Sequence, residues 1–205
     1  MHCMSWFGFQ CLLCSGRSSQ QCPSQGPERS TSIDYHLNNI QTHINSRSCL
    51  LPPNAFDTHV HVFDPRLGPY AASRAYTPED APLERLIAFS KSISADTAMA
   101  RMVLVQPSPY KTDCTVLMRC LQELQRRGNV AYAMVVIDVD QVENYELEDM
   151  HSLGVRGIRL NFQADGKEPN VSSLVGTLQK AARRICHLPG WMIQLFVPAW
   201  AWDGK

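Results

Sequence analysis

The chain has 205 residues, with 44% apolar and 19% charged side chains, and its 19 basic residues balance 19 acidic ones. A zero net charge excludes the strongly basic surface that binds nucleic acid or an anionic membrane. No apolar run reaches the ~18 residues that a membrane-spanning helix needs. The composition therefore predicts a protein with neither nucleic acid nor a membrane as its partner.

The first 53 residues lack the pattern of a folded element. Residues 15–53 are rich in Ser, Gln, Asn, Pro and Arg and show neither helical nor strand periodicity. Residues 1–16 are apolar, but no Lys or Arg precedes the apolar part as it would in a secretory signal peptide. We therefore expect a disordered leader or linker over residues 1–53, a folded domain over 54–205, and a cytoplasmic location.

From Asn54 onward, strand-like segments alternate with helical patterns. Thr77 and Pro78 are suited to the N-cap and first position of the first helix, and Leu83, Leu86, Ile87 and Phe89 follow. A second helix opens at Thr112 and ends at Gly128, and two more helices end before Gly154 and Gly190. The strand-like segments are Ala55–Phe63, Met102–Gln106, Val130–Ile137, Val155–Phe162 and Trp191–Val197.

This alternation predicts an α/β fold with parallel strands joined by helical crossovers, either a doubly wound sheet or a (β/α)₈ TIM barrel. No Gly-x-Gly-x-x-Gly motif follows the first strand, which disfavours a dinucleotide-binding fold. The strands repeat every 34 residues. A full barrel at this repeat needs roughly 270 residues, whereas 152 are present from Asn54. We expect an incomplete TIM barrel of about five βα units.

The first strand carries a His-x-His pair, His59 and His61. Strict alternation places Asp57 and Phe63 on the same face as the two histidines, and Phe56, Thr58, Val60 and Val62 on the other. The apolar set suits the helix layer, so the histidines are predicted to point inward at the carboxyl end of the strand, where barrel active sites lie. There they could be catalytic or bind a divalent metal such as zinc, and packing histidines are the alternative.

Arg159 is predicted to point inward from the fourth strand, with Val155, Gly157 and Asn161. A buried guanidinium needs a partner. That partner is either the carboxylate of a substrate, bound in a bidentate manner, or a barrel acid such as Asp138 in a structural ion pair. Arg156 is predicted to point to the face of the strand opposite Arg159, which favours a structural role.

Two further residues are expected at the barrel mouth. Ser108 shares a face with Gln106 where the second strand ends at Pro107. Tyr76 lies in the loop after the first strand, where it either overhangs the mouth or caps it.

The segments FDTHVHVFDP, QPSPYKTDC and GVRGIRLN, at their spacing along the chain, resemble the amidohydrolase superfamily. Within it they are similar to the amidohydrolase-related group that includes 2-pyrone-4,6-dicarboxylate lactonase. The resemblance runs from about Asn54 to the C-terminus. It implies a (β/α)₈ barrel that hydrolyses a small carboxylated lactone, ester or amide, or in related members decarboxylates an acid.

The resemblance also implies site residues and a cofactor. His59 and His61 match the pair on the first strand, which binds a divalent metal such as zinc in metal-dependent members and works without metal in the lactonase. Substrate-contacting positions of the lactonase are matched by Arg159, Ser108 and Tyr76.

The chain also departs from the lactonase pattern. Asp165 and Phe196 stand where the lactonase has an arginine and a tyrosine, and its later histidine and general-base aspartate have no counterpart. We therefore expect a truncated hydrolase. The alternatives are a catalytically inactive fragment or half-barrel that associates with another chain, and a decarboxylase of the same superfamily.

Overall fold

The computed structural model describes residues 50–95, 99–162 and 171–199. Most of the leader expected over residues 1–53 lies outside these ranges, so its disorder stays a prediction. No helix of the described ranges has both the length and the apolar character needed to cross a bilayer. The elements in chain order are β1 (Phe56–Val60), α1 (Leu83–Ser92), β2 (Arg101–Val105), α2 (Thr115–Arg126), β3 (Ala131–Val135), α3 (Asn144–Ser152), β4 (Val155–Asn161), α4 (Val171–Ile185) and β5 (Met192–Phe196).

The five strands form one parallel sheet in the order β1-β2-β3-β4-β5. Three strands separate β1 from β5, yet the side-chain amide of Gln194 on β5 lies 3.0 Å from Nδ1 of His59 on β1. The sheet is therefore strongly curved, and side chains on its concave inner face approach one another as they do inside half of a barrel. The α/β fold with an incomplete TIM barrel that the sequence predicted is confirmed.

The outer face of the sheet packs against the helices. Leu117, Leu121 and Leu124 recur at helical spacing along α2 and are buried against β2 and β3. A second cluster packs Ile158 and Leu160 of β4 against α4. Because Leu121 is fully buried, its replacement by alanine would cost roughly 2–5 kcal/mol.

The first helix begins later than the sequence predicts. Pro82 occupies its N-cap position, while the Thr77 hydroxyl accepts a hydrogen bond from Nε of Arg74 at 2.7 Å. The reason is a tertiary contact, because Phe63 and Ala81 exchange two backbone hydrogen bonds of 3.0 and 2.8 Å. This bridge holds residue 81 in an extended conformation, so the helix starts only after it. Of the apolar residues that follow, Leu83 and Ile87 are buried and Phe89 is 47% exposed.

A bulge interrupts β1. Asp57 and Val60 pair with Met102 and Leu104, so three steps along β1 match two along β2. Asp57 thus shares the outer face of the buried Met102, and the prediction that it shares a face with His59 is wrong. Phe56 takes the inner face instead of the predicted helix side, and its ring stacks on Tyr132 of β3 at 6.3 Å.

Candidate active site

His59 and His61 form a contacting pair at the carboxyl end of β1. Their Nε2 atoms lie 3.3 Å apart, and the rings meet edge to face with centroids 4.9 Å apart. Nδ1 of His61 lies 2.8 Å from the carbonyl oxygen of Val105. A carbonyl only accepts hydrogen bonds, so Nδ1 of His61 carries the proton and its Nε2 carries the lone pair.

Both imidazoles are held in the neutral form. Burial lowers the pKa of His61 to about 4, the hydrogen bond to Val105 opposes this lowering, and the charge of Arg159 adds to it. Burial, followed by the charge of Arg159, also lowers the pKa of His59 against the effect of Asp57. Near pH 7 the pair can therefore donate and accept hydrogen bonds as neutral groups.

Arg159 lies on the inner face of β4 and is only 6% exposed. Its Nη1 donates to the carbonyl oxygen of Gln106 at 3.1 Å, and its guanidinium carbon lies 5.4 Å from the centre of the Phe196 ring. Its Nε is buried without a hydrogen-bond partner among the described residues. Burial lowers the pKa of Arg159, and the nearby Tyr76 opposes this.

No carboxylate of the described residues pairs with Arg159. Asp138, the structural partner considered above, instead accepts a hydrogen bond from the backbone N–H of Asp140 at 3.0 Å. Burying an uncompensated guanidinium costs several kcal/mol. Nε, which has no acceptor among the described residues, shares one edge of the guanidinium with Nη2, and the two oxygens of a carboxylate fit along such an edge.

A second bulge, in β4, positions this arginine. Val155 pairs with Ala133 and Ile158 with Val135, so three steps along β4 match two along β3. Val155 consequently packs in the outer core, and the prediction that it shares the face of Arg159 is wrong. Beyond the bulge, Ile158 is buried on the helix side and Arg159 points inward.

Gly157 is required where this bulge packs against β5 and β3. A Cβ atom there would lie 2.2 Å from the backbone oxygen of Met192 and 2.6 Å from Cε of Met134. Arg156, at the same bulge, donates to the carbonyl oxygens of His151 and Val155 and stacks on Tyr132. These contacts support a structural role, although the Tyr132 ring belongs to the inner face, so the prediction that Arg156 faces away from Arg159 is wrong.

The remaining residues singled out from the sequence lie around this cluster. Ser108 accepts a hydrogen bond of 2.8 Å from the side-chain amide of Asn161, at the end of β4. Tyr76 is 50% exposed and close enough to Arg159 to affect its pKa. The structure thus brings His59 and His61 within electrostatic influence of Arg159, and the roles of all five residues stay predictions.

Sequence reasoning missed Gln194. Its amide nitrogen lies 3.0 Å from Nδ1 of His59, and its Oε1 is buried with no partner among the described residues. The available signal was a single polar residue within the otherwise apolar strand Met192–Phe196. Phe196 was singled out only as a departure from the lactonase, whereas its ring lies beneath the guanidinium. Asp165, the other departure, lies outside the described residues.

The two histidines supply only two of the protein ligands that a metal site needs. Two Nε2 atoms 3.3 Å apart, each about 2.05 Å from a shared zinc ion, would subtend an angle of about 105°, which is close to tetrahedral. A catalytic zinc site needs about three protein ligands. Within residues 50–95, 99–162 and 171–199, no group of three His, Cys, Asp or Glu side chains could complete it. The described residues do not by themselves fit a metal ion.

A curved parallel sheet with helices on its outer face and polar side chains gathered at the carboxyl ends of its strands is the arrangement of the TIM-barrel fold. The family model described as "Amidohydrolase" (Amidohydro_2) matches residues 56–203. The chain therefore belongs to this amidohydrolase family, as the sequence resemblance predicted.

Curated relatives support the same grouping. A 4-sulfomuconolactone hydrolase of Rhizobium radiobacter is 33% identical over 143 residues, which cover 68% of this chain and 40% of the relative. A 2-pyrone-4,6-dicarboxylate hydrolase of Comamonas testosteroni is 31% identical over 155 residues, which cover 73% and 45% of the two chains. The chain thus spans less than half the length of these relatives.

Two solved structures share the fold. A probable 2-pyrone-4,6-dicarboxylic acid hydrolase of Acinetobacter baumannii, with citric acid bound, superposes with a TM-score of 0.52 at 22% identity, over 71% of this chain and 50% of that chain. An Agrobacterium tumefaciens protein in its apo form gives 0.57 at 21% identity, over 72% and 49%.

Proposed function

We propose that this chain forms the carboxylate-binding and carbonyl-polarising part of a hydrolase that opens a small anionic lactone. The observation that carries the proposal is the buried Arg159, which lacks a carboxylate partner among the described residues and lies beside a pair of neutral histidines. The names of the two curated relatives, hydrolases of 4-sulfomuconolactone and 2-pyrone-4,6-dicarboxylate, support an anionic lactone over the wider class of esters and amides.

In this proposal the substrate carboxylate binds along the Nε and Nη2 edge of Arg159, while Nη1 keeps its bond to Gln106. This pairing fixes the lactone ring in the mouth, where Ser108 and Tyr76 contact its polar edge. The lactone carbonyl oxygen accepts a hydrogen bond from the imidazole pair, which stabilises the negative charge that develops as water attacks.

Water must lose a proton as its oxygen bonds to the carbonyl carbon, and the ring C–O bond then breaks. Among the described residues, no carboxylate contacts the ring of His59 or His61. We place the general base for this step outside the described residues. The cytoplasmic location expected from the sequence belongs to the same proposal, and cell fractionation tests it.

Ligand titration and ring opening test the proposal separately. Calorimetry with 2-pyrone-4,6-dicarboxylate and 4-sulfomuconolactone should show saturable binding to the 205-residue chain, and absorbance should show no ring opening. Absence of binding to both compounds would contradict the carboxylate site. Ring opening that is abolished in a His59→Ala variant would show that the 205-residue chain supplies its own general base and would overturn the expectation of no ring opening.

A second candidate is association through the sheet edges. In the described part of the chain, β1 pairs only with β2 and β5 only with β4. Met192 and Phe196 on β5 are 60% and 44% exposed, and an exposed strand edge with apolar side chains favours pairing with another chain. Light scattering after size-exclusion chromatography tests it, because a monomer at all concentrations would argue against this role.

A further inference from the structure

The site contains a chain of four hydrogen-bonding groups whose direction can be followed from one end. At that end the carbonyl oxygen of Val105 accepts from Nδ1 of His61, which leaves Nε2 of His61 as an acceptor. Nε2 of His59 lies 3.3 Å from that acceptor. Two lone pairs facing each other at this distance would repel, so Nε2 of His59 carries a proton and donates.

This assignment determines the state of the other nitrogen of His59. A neutral imidazole has one protonated nitrogen, so Nδ1 of His59 is the bare acceptor. The side-chain amide of Gln194 lies 3.0 Å from it and must present its NH₂ group. We propose that Gln194 is a positioning residue that holds His59 in the tautomer protonated at Nε2, across the curved inner face of the sheet.

The burial of Oε1 of the half-buried Gln194 favours the same orientation. With the NH₂ group on His59, the amide leaves one acceptor, Oε1, buried without a partner among the described residues. The reversed amide would leave two buried N–H donors at that position, and unsatisfied buried donors are rarer in proteins than unsatisfied acceptors. The reversed amide would also require a proton on Nδ1 of His59, which would remove the hydrogen bond between the two histidines.

The chemical consequence rests on the proposed function. His59 is then the imidazole that offers an N–H to the lactone carbonyl, and His61 is its acceptor in the free protein. The reversed amide corresponds to a different state, with both Nε2 atoms bare, which is the state that two metal ligands need. Gln194 therefore determines whether the pair offers a hydrogen-bond donor or two lone pairs.

Nitrogen-15 NMR of histidine-labelled protein reads the tautomer directly, without substrate or turnover. In the wild-type 205-residue chain we expect His59 to be protonated at Nε2 and bare at Nδ1. A Gln194→Glu variant, whose carboxylate only accepts, should move the proton to Nδ1. A Gln194→Leu variant should lose the single wild-type tautomer, while Gln122→Leu on the exposed face of α2 serves as the matched control and should leave it unchanged.

Two results would overturn this assignment. One is wild-type His59 protonated at Nδ1, which needs no variant and so does not depend on how any substitution folds. The other is a His59 tautomer that stays the same in both Gln194 variants. Because the readout involves no lactone, a failure to bind either lactone would count against the proposed function and leave the tautomer result intact.

Discussion

Replacing Arg159 by methionine should weaken ligand binding while leaving the stability of the fold nearly unchanged. Methionine has a similar length and no charge, so the variant removes the group that binds the carboxylate and fills most of the same volume. Truncating one partner of a buried, hydrogen-bonded charge pair costs roughly 2–5 kcal/mol. A loss of about 3 kcal/mol corresponds to a roughly 150-fold rise in the dissociation constant of 2-pyrone-4,6-dicarboxylate.

Stability should respond differently. The variant loses one hydrogen bond to Gln106, worth about 1 kcal/mol, but it also relieves the desolvation of a guanidinium that lacks a counter-charge among the described residues. We expect the free energy of unfolding in urea to change by less than about 1 kcal/mol or to rise. Calorimetric titration and urea unfolding on the same preparation measure the two quantities.

Arg156→Met is the matched control, because Arg156 lies three residues away and its contacts among the described residues are with backbone carbonyls and the Tyr132 ring. It should lower stability by about 1–2 kcal/mol and leave ligand affinity unchanged. An Arg159→Met variant that loses stability and keeps its affinity would show that Arg159 is a structural residue.

Two further predictions concern protonation and packing. The pKa of His61 is lowered from 6.5 to about 4, so the unfolded chain binds more protons between these values and stability falls with decreasing pH, by up to about 3 kcal/mol before levelling off near pH 4. His61→Gln should flatten this pH dependence in urea unfolding, and an unchanged slope would contradict the burial of that imidazole. Gly157→Ala should cost roughly 3 kcal/mol or more, because the added methyl group meets the backbone oxygen of Met192. In contrast, Gly176→Ala in α4 has open space around it and should stabilise by roughly 0.5–1 kcal/mol; equal effects of the two variants would refute the packing argument.

The sequence identified the strand–helix alternation and the residues at the strand ends because these depend on local periodicity. It placed His59, His61 and Arg159 on the inner face correctly, although the alternation from which this was deduced is broken in both strands. The bulge at 155–158 in β4 precedes Arg159, and the bulge at 57–60 in β1 contains His59 and precedes His61. Each bulge reverses the predicted face only on its N-terminal side, as at Asp57 and Val155.

Features that depend on contacts between distant segments could not be predicted in this way. The start of α1 is set by backbone bonds between Phe63 and Ala81, which override the local capping signal at Thr77. The contact between Gln194 and His59 joins residues 135 positions apart. It exists only because the sheet curves enough to bring β5 across from β1, and no periodicity in either strand encodes that curvature.

A crystal structure of the chain with 2-pyrone-4,6-dicarboxylate would show directly whether Arg159 binds the carboxylate. We expect one carboxylate with its two oxygens about 3 Å from Nε and Nη2 of Arg159, and the lactone carbonyl oxygen at hydrogen-bond distance from Nε2 of His59. A carboxylate bound elsewhere, with the edge of Arg159 left without an acceptor and the carbonyl pointing away from the histidine pair, would contradict it.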